Sequence, residues 1–269
     1  MAPYVLIARL LYRYECSLDK DWDDVLEATT IRKLDRWLED MVQMKEVSVP
    51  RCIAPDMSNL KSVELHVFCD ASDNAYAAVA YIRVMKSDGS VHCAFVFGKS
   101  RLAPLKTRSI PRLELMAAVL AVEIYLMLNV EMRISVGRVV FWSDSKVVLC
   151  CIKSRTRRFP RFTANRVSSI QQATDPSQWC YVNTKVNPAD CATRGTSKLD
   201  VWLSAPEFLH ETVSEWSSAF DNSIVDESVL DEPVYNELTC CTSEAGDDKD
   251  GRPIIHGLTQ KLRRRQPDI

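Results

Sequence analysis

The sequence predicts an α/β protein built on a mixed β-sheet with helices packed against it. Three observations carry this prediction. Residues 61–99 alternate apolar and polar side chains with the period of a strand, in three consecutive runs. A long, almost uninterrupted apolar helix follows. Beyond it, short strand-like runs take turns with helical patterns, giving the order βββαβααβα. An antiparallel run followed by α/β crossovers makes a mixed sheet.

The elements follow in chain order. Residues 1–50 read as helical. Leu6, Leu10, Leu11 and Tyr14 recur at helical spacing, and so do Ile31, Leu34, Trp37, Leu38 and Met41. Asp19, Asp21, Asp23 and Asp24 between the two patterns suit a turn or a helix start. Pro50 to Pro55 reads as a linker. In VELHVFCD, Leu65, Val67 and Cys69 alternate with Glu64, His66, Phe68 and Asp70. Strand-like runs Ala75–Val84 and Val91–Phe97 flank the turn Ser87-Asp88-Gly89, completing a meander. Ser109 and Pro111 supply a cap and a first-turn proline for the apolar helix. Val136–Trp142 is a strand and Ser145–Ser154 a helix. Arg161–Gln172 is a helix and Trp179–Val182 a strand. Pro188–Arg194 starts a last helix, ended by Gly195.

Composition bounds the function. Of 269 residues, 46% are hydrophobic and 26% charged, as in a soluble globular protein. A net charge of −2 means that any nucleic-acid surface is local. The ten cysteines form no C-x-x-C, and Cys150-Cys151 and Cys240-Cys241 are adjacent pairs that suit neither zinc nor easy disulfides. Reduced thiols in a cytoplasmic or nuclear compartment are the expectation. No run approaches ~18 uncharged apolar residues, so no membrane span is expected. From Asp221 to Asp250 there are ten acidic residues against Lys249 alone, and the sign reverses with Lys261 and Arg263–Arg265. Such charge blocks predict a disordered tail over 221–269.

Four acids stand at element junctions. Asp70 closes the first strand, and Glu114 lies in the first turns of the long helix. Asp144 sits where a strand hands over to a helix, and Asp190 lies near the start of the last helix. Singly, each reads as a residue favoured by a helix dipole. If the first and fourth strands are neighbours, Asp70 and Asp144 lie side by side. Two carboxylates about 4 Å apart repel by roughly 4 kcal/mol at an effective dielectric near 20. Hard divalent cations such as Mg²⁺ or Mn²⁺ relieve that repulsion. Two ions ~3.5–4 Å apart can clamp a phosphodiester for attack by water.

FCDAS, SIPRLEL, FWSDS and NPADCATRG, in this order, resemble the ribonuclease H domain in the polyprotein of Bel/Pao-type retrotransposons. KSRLAPLKTRSIPRLEL, RFTANRVSSIQ and SKLDVWLSAPEFL resemble its flanking segments. The N-terminal DWDD…W…W…VSVPRC is similar to the piece joining polymerase to ribonuclease. The resemblance covers about residues 1–210. It implies a ribonuclease H-like fold, a five-stranded mixed sheet of order 3-2-1-4-5. It implies a helical connection over 1–55, the domain over 61–197 and an extension over 198–220. It implies that Asp70, Glu114, Asp144 and Asp190 bind two Mg²⁺ or Mn²⁺ ions, with Asp70 bridging. Glu114 and Asp144 would hold one ion and Asp190 the other. The implied reaction is endonucleolytic cleavage of RNA in an RNA–DNA hybrid, and the reverse transcriptase part of the polyprotein is a further partner. The loop VNTKVNPAD lacks the histidine that many ribonucleases H carry before the last acid. Lys185 is the nearest cation there, and His92 and His210 are the nearest histidines in sequence.

The substrate surface is expected around residues 145–174, where Lys146, Lys153, Arg155, Arg157, Arg158, Arg161 and Arg166 occur without an acid. Lys99, Arg101, Lys106 and Arg108 add to it. Ser72, Asn74 and Ser145 are assigned to the RNA 2′-hydroxyls from their closeness in sequence to the acids. Two other readings stand beside the nuclease. One is a catalytically silent, nucleic-acid-binding remnant. The other is an aspartic peptidase, but Asp70-Ala71-Ser72 and Asp144-Ser145-Lys146 lack the glycine of a D-[ST]-G loop.

Overall fold

The computed structural model describes residues 1–18, 20–21, 23–50, 52–53, 58–105, 109–196 and 199–211, with Trp216, Leu230 and Leu238. Helices α1 (Ala2–Cys16) and α2 (Ala28–Gln43) precede the meander β1 (Leu60–Ala71), β2 (Ala75–Lys86) and β3 (Val91–Leu102). Then come α3 (Ile110–Glu131), β4 (Arg138–Ser143), α4 (Lys146–Lys153) and α5 (Arg161–Ala173). The chain continues through β5 (Trp179–Tyr181), α6 (Asp190–Arg194) and α7 (Asp200–Leu203). The sheet runs β3-β2-β1-β4-β5. Its β1–β2 and β2–β3 pairs are antiparallel, and β1–β4 and β4–β5 are parallel. This is the ribonuclease H-like order expected.

One face of the sheet buries the odd-numbered residues of β1. Leu65, Val67 and Cys69 pack with Ala78, Ala80 and Phe141 against α3, through Leu113, Ala117, Leu120 and Ala121. Alanines on the helix face let its axis approach the sheet closely, and each large apolar side chain buried there stabilises by about 1.5–3 kcal/mol. By length and composition α3 would be able to cross a membrane. Here it is the core helix, packed against β1 and β2 of the sheet and against α5. Leu230 and Leu238 are fully buried in this core. The rest of the charged segment expected to be disordered at 221–269 lies outside the described residues.

The other face is covered too. Phe68, Val79, Tyr81, Val140 and Trp142 pack against Tyr4 of α1, Ala189 and Ala192 around α6, and Trp202, Phe208 and Trp216. Trp202 lies so close over Gly98 that any Cβ there would collide with its ring. Tyr81 donates to the Trp202 carbonyl at 2.7 Å. The N-terminal segment and the segment after 198 therefore close the second layer. Of the stripe read on α1, Leu6 is buried, whereas Tyr14 is exposed. Pro3 and Tyr4 make the contact instead. Arg9 and Arg13 reach the carbonyls of Ser100 and Ala103 at 3.4 and 3.1 Å. The helical pattern of α2 is real, but Ile31, Leu38 and Met41 remain exposed while Trp37 stacks on Tyr4.

Candidate active site

The site grows from the strand register. Cys69 pairs with Ser143 across the parallel β1–β4 ladder, so Asp70 and Asp144 follow at the same height on adjacent strands. Neighbouring strands lie about 4.8 Å apart. The carboxyl ends of parallel strands are where an α/β sheet opens to ligands. Asp144 occupies the joint because β4 ends at Ser143 and α4 begins at Lys146.

Each acid has its own tether. Ser145 caps α4, accepting from the Val148 amide at 3.3 Å, and donates to Glu114 Oε2 at 2.5 Å. That single hydroxyl ties the start of α4 to the first turns of α3. Thr193 Oγ1 lies 2.6 Å from Asp70 Oδ2. Arg194 Nε donates to Asp190 Oδ1 at 2.6 Å. Asp144 accepts hydrogen bonds from the side chains of Thr184 and Asn187. Asn187 also donates to the Cys69 carbonyl at 3.1 Å, so the loop before α6 clamps both parallel strands.

The acids feel one another. Burial, then the charge of Asp144 and that of Asp190, push Asp70 up to about 7, against the pull of the Thr193 hydroxyl. Burial raises Asp144 too, with Asp190 adding to it. Burial and then Asp144 raise Glu114, opposed by Ser145. Burial, then Asp144, push the neighbouring Cys69 thiol far up, which keeps that sulfur neutral. The four acids expected from sequence thus share one end of the sheet and one electrostatic neighbourhood.

They do not close into a cage. Among the described residues, no three or more His, Cys, Asp or Glu side chains are gathered tightly enough to enclose an ion. The two-ion arrangement that the resemblance implies for these four acids is therefore not preformed among the described residues. Like charges repel, and each acid is tied separately to a hydroxyl, an amide or a guanidinium. The donor set nevertheless fits a hard divalent cation: four carboxylates with no soft ligand among them, three of which, Asp70, Glu114 and Asp144, are raised in proton affinity by burial and by a neighbouring acid.

The basic residues divide into groups. Arg155, Arg158 and Arg161 are exposed, as is Lys99. Lys146, Lys153, Arg157 and Arg166 are half-buried. The Lys146 ammonium stands 5.3 Å from the Tyr181 ring. Arg166 stacks on Phe162 at 3.5 Å, and Arg112, not singled out from sequence, approaches the same ring at 5.3 Å. Arg101 is not open to a phosphate: its guanidinium grips Glu123, with contacts of 2.7 and 3.4 Å. Lys106 and Arg108 lie outside the described residues.

The three residues assigned to 2′-hydroxyls are engaged within the protein. Ser72 donates to the Thr193 carbonyl at 2.9 Å, Asn74 Oδ1 accepts from Arg13 at 2.9 Å, and Ser145 holds Glu114. Sequence reasoning missed Thr184, Asn187, Thr193 and Arg194. The only signal was their place in NTKVNPADCATRG, beside the last acid.

The family model described as the Pao retrotransposon-like RNaseH-like domain matches residues 1–145, a span holding Asp70, Glu114 and Asp144. Similar solved structures include RNase H1 from the halophilic archaeon Halobacterium salinarum NRC-1, 13% identical with a TM-score of 0.32, covering 47% of this chain and 90% of that one. Another is the N-terminal RNase H domain of a Mycobacterium tuberculosis protein fused to maltose-binding protein, 13% identical with a TM-score of 0.32, covering 49% and 93%. A third is LC11-RNase H1 in complex with an RNA/DNA hybrid, 13% identical with a TM-score of 0.32, covering 48% and 91%. No curated protein matches the chain. With its β3-β2-β1-β4-β5 sheet and a family match over more than half its length, the chain belongs to the Pao retrotransposon-like RNaseH-like domain family.

Proposed function

We propose that this chain is a divalent-metal-dependent endonuclease that cuts the RNA strand of RNA–DNA hybrids. The observation that carries the reading is the meeting of Asp70, Glu114, Asp144 and Asp190 at one end of the parallel strands. Three of the four are buried enough, and close enough to another acid, to hold protons more tightly than usual. Such a cluster is strained without cations and relaxed by them.

Asp70, Glu114, Asp144 and Asp190 are the residues that would hold two Mg²⁺ or Mn²⁺ ions. Bound there, such ions would supply Lewis acidity and charge neutralisation for hydrolysis of a phosphodiester to a 3′-hydroxyl and a 5′-phosphate. The chain's own residues fix the carboxylates. Ser145 orients Glu114, and Thr184 and Asn187 orient Asp144. Exposed Arg155, Arg158, Arg161 and Lys99 provide phosphate contacts, placing the backbone of the hybrid over the site.

A helical connection over 1–55, a catalytic domain over 61–197 and an extension over 198–220 complete the reading. The reverse transcriptase part of a polyprotein is the proposed neighbour, and a reducing cytoplasmic or nuclear compartment suits the free thiols of Cys69, Cys151, Cys180 and Cys191.

The test is cleavage of a labelled RNA–DNA hybrid by the purified chain with magnesium, manganese or chelator. Metal-dependent cuts confined to the RNA strand are expected. Tight hybrid binding without metal-dependent turnover would replace this reading with a silent binding module.

A further inference from the structure

We propose that Thr193 is a positioning residue of the site, its hydroxyl setting the aim of Asp70 and locking the start of α6 to the end of β1. The inference rests on the nuclease reading above and adds a residue to it. Thr193 is 1% exposed, in the short helix that carries Asp190. Its Oγ1 lies 2.6 Å from Asp70 Oδ2 and 3.0 Å from the Asp190 carbonyl oxygen. A hydroxyl has one proton, and the carboxyl oxygen at 2.6 Å is the closer acceptor than the carbonyl at 3.0 Å. From the other side, Ser72 Oγ donates to the Thr193 carbonyl at 2.9 Å. Ser72 follows Asp70 by two residues, so Thr193 is held at both its side chain and its backbone by the end of β1.

The consequence is geometric. Asp70 and Asp190 are 120 residues apart in sequence, and Asp190 comes from a helix of only five residues. So short a helix has little rigidity of its own. The Thr193 bonds give it a fixed seat against the end of β1. Valine has nearly the same shape and no hydroxyl. Serine keeps the hydroxyl and loses the methyl.

The experiment compares the full-length chain with Thr193→Val and Thr193→Ser. It measures Mn²⁺ binding by calorimetry, hybrid cleavage as kcat and KM, and thermal unfolding. Carboxylate partners of this kind typically matter by about 10–100-fold in metal affinity or activity. Thr193→Val is expected to weaken Mn²⁺ binding about tenfold or more and to lower kcat with KM held, while Thr193→Ser stays near the wild type. A folded Thr193→Val protein with wild-type Mn²⁺ binding and kcat overturns the proposal and leaves the nuclease reading standing. A serine variant that is folded and as impaired as the valine variant also overturns it, because the methyl and not the hydroxyl would then be at work. A wild-type chain that neither binds Mn²⁺ nor cleaves hybrid overturns both.

Discussion

Trp142 Nε1–H donates to His66 Nδ1 across 3.1 Å in the buried second layer of the sheet. An indole nitrogen only donates, so His66 Nδ1 accepts and the ring proton sits on Nε2. That Nε2 faces Glu64 Oε2 at 3.3 Å. Glu64 in turn takes Arg83 Nη1 at 3.0 Å. The remaining arginine donors reach the carbonyls of Leu209 and Glu211 at 2.7 and 2.8 Å. The sheet interior is thereby wired to the segment beyond α7.

Arg83→Met should cost about 3–5 kcal/mol, because it leaves the buried Glu64 carboxylate only His66 and the longer, half-exposed contact to Arg138 at 3.7 Å, and leaves two carbonyls without their donor. Chemical denaturation at pH 7 measures it. A loss below about 1 kcal/mol would show that the network adds little to stability.

The same network sets an acid limit. Burial alone would raise Glu64, but His66 and Arg83 outweigh it and bring Glu64 down from 4.5 to about 2. A depressed carboxylate stabilises the fold above its unfolded value and loses that contribution as pH falls. Stability should therefore drop between pH 4.5 and about 2, and Glu64→Gln should flatten that part of the curve.

Asp70 has the opposite sign. Its folded pKa of about 7 lies above the ordinary 3.8, so its contribution is present below 3.8 and lost as pH rises through about 7. Without metal, Asp70→Asn should therefore stabilise the protein at pH 8, by on the order of 1–3 kcal/mol, and have little effect at pH 4. Thermal unfolding in chelator checks this. Destabilisation at pH 8 would mean that burial and the neighbouring acids do not disfavour the Asp70 charge.

Arg101 and Arg161 should separate in binding and stability. Arg161→Ala should lower the slope of log affinity for hybrid against log salt by about 0.8, the share of one phosphate contact. Arg101→Ala should leave that slope unchanged and destabilise the fold by about 1–3 kcal/mol, since it strands buried Glu123. Salt titrations of hybrid binding and denaturation curves of the two variants decide.

Legibility from sequence followed the range of the signal. Period-two alternation in Leu65, Val67 and Cys69 announced β1, and the Ser109–Pro111 pair announced α3, because both are local. Asp144 stood out because a charge at a strand–helix joint is a local anomaly. Hidden features depend on distant partners. Arg101 read as a free cation because its Glu123 partner arrives from α3. Glu64 and His66 alternate with apolar residues as a solvated face would, yet both are buried once Trp216 and the 207–211 turn cover them. Thr193 and Ser145 carry only a hydroxyl, and nothing local says which carboxylate it will meet.

The most direct measurement compares wild-type chain and Asp144→Asn on a labelled RNA–DNA hybrid in magnesium, with circular dichroism to confirm the fold of both. The wild type should cut the RNA strand, and the variant should fold equally well and lose at least two orders of magnitude in rate (~10²-fold, the scale of losing a metal-orienting group). A folded Asp144→Asn protein that cleaves as fast as the wild type would contradict the account.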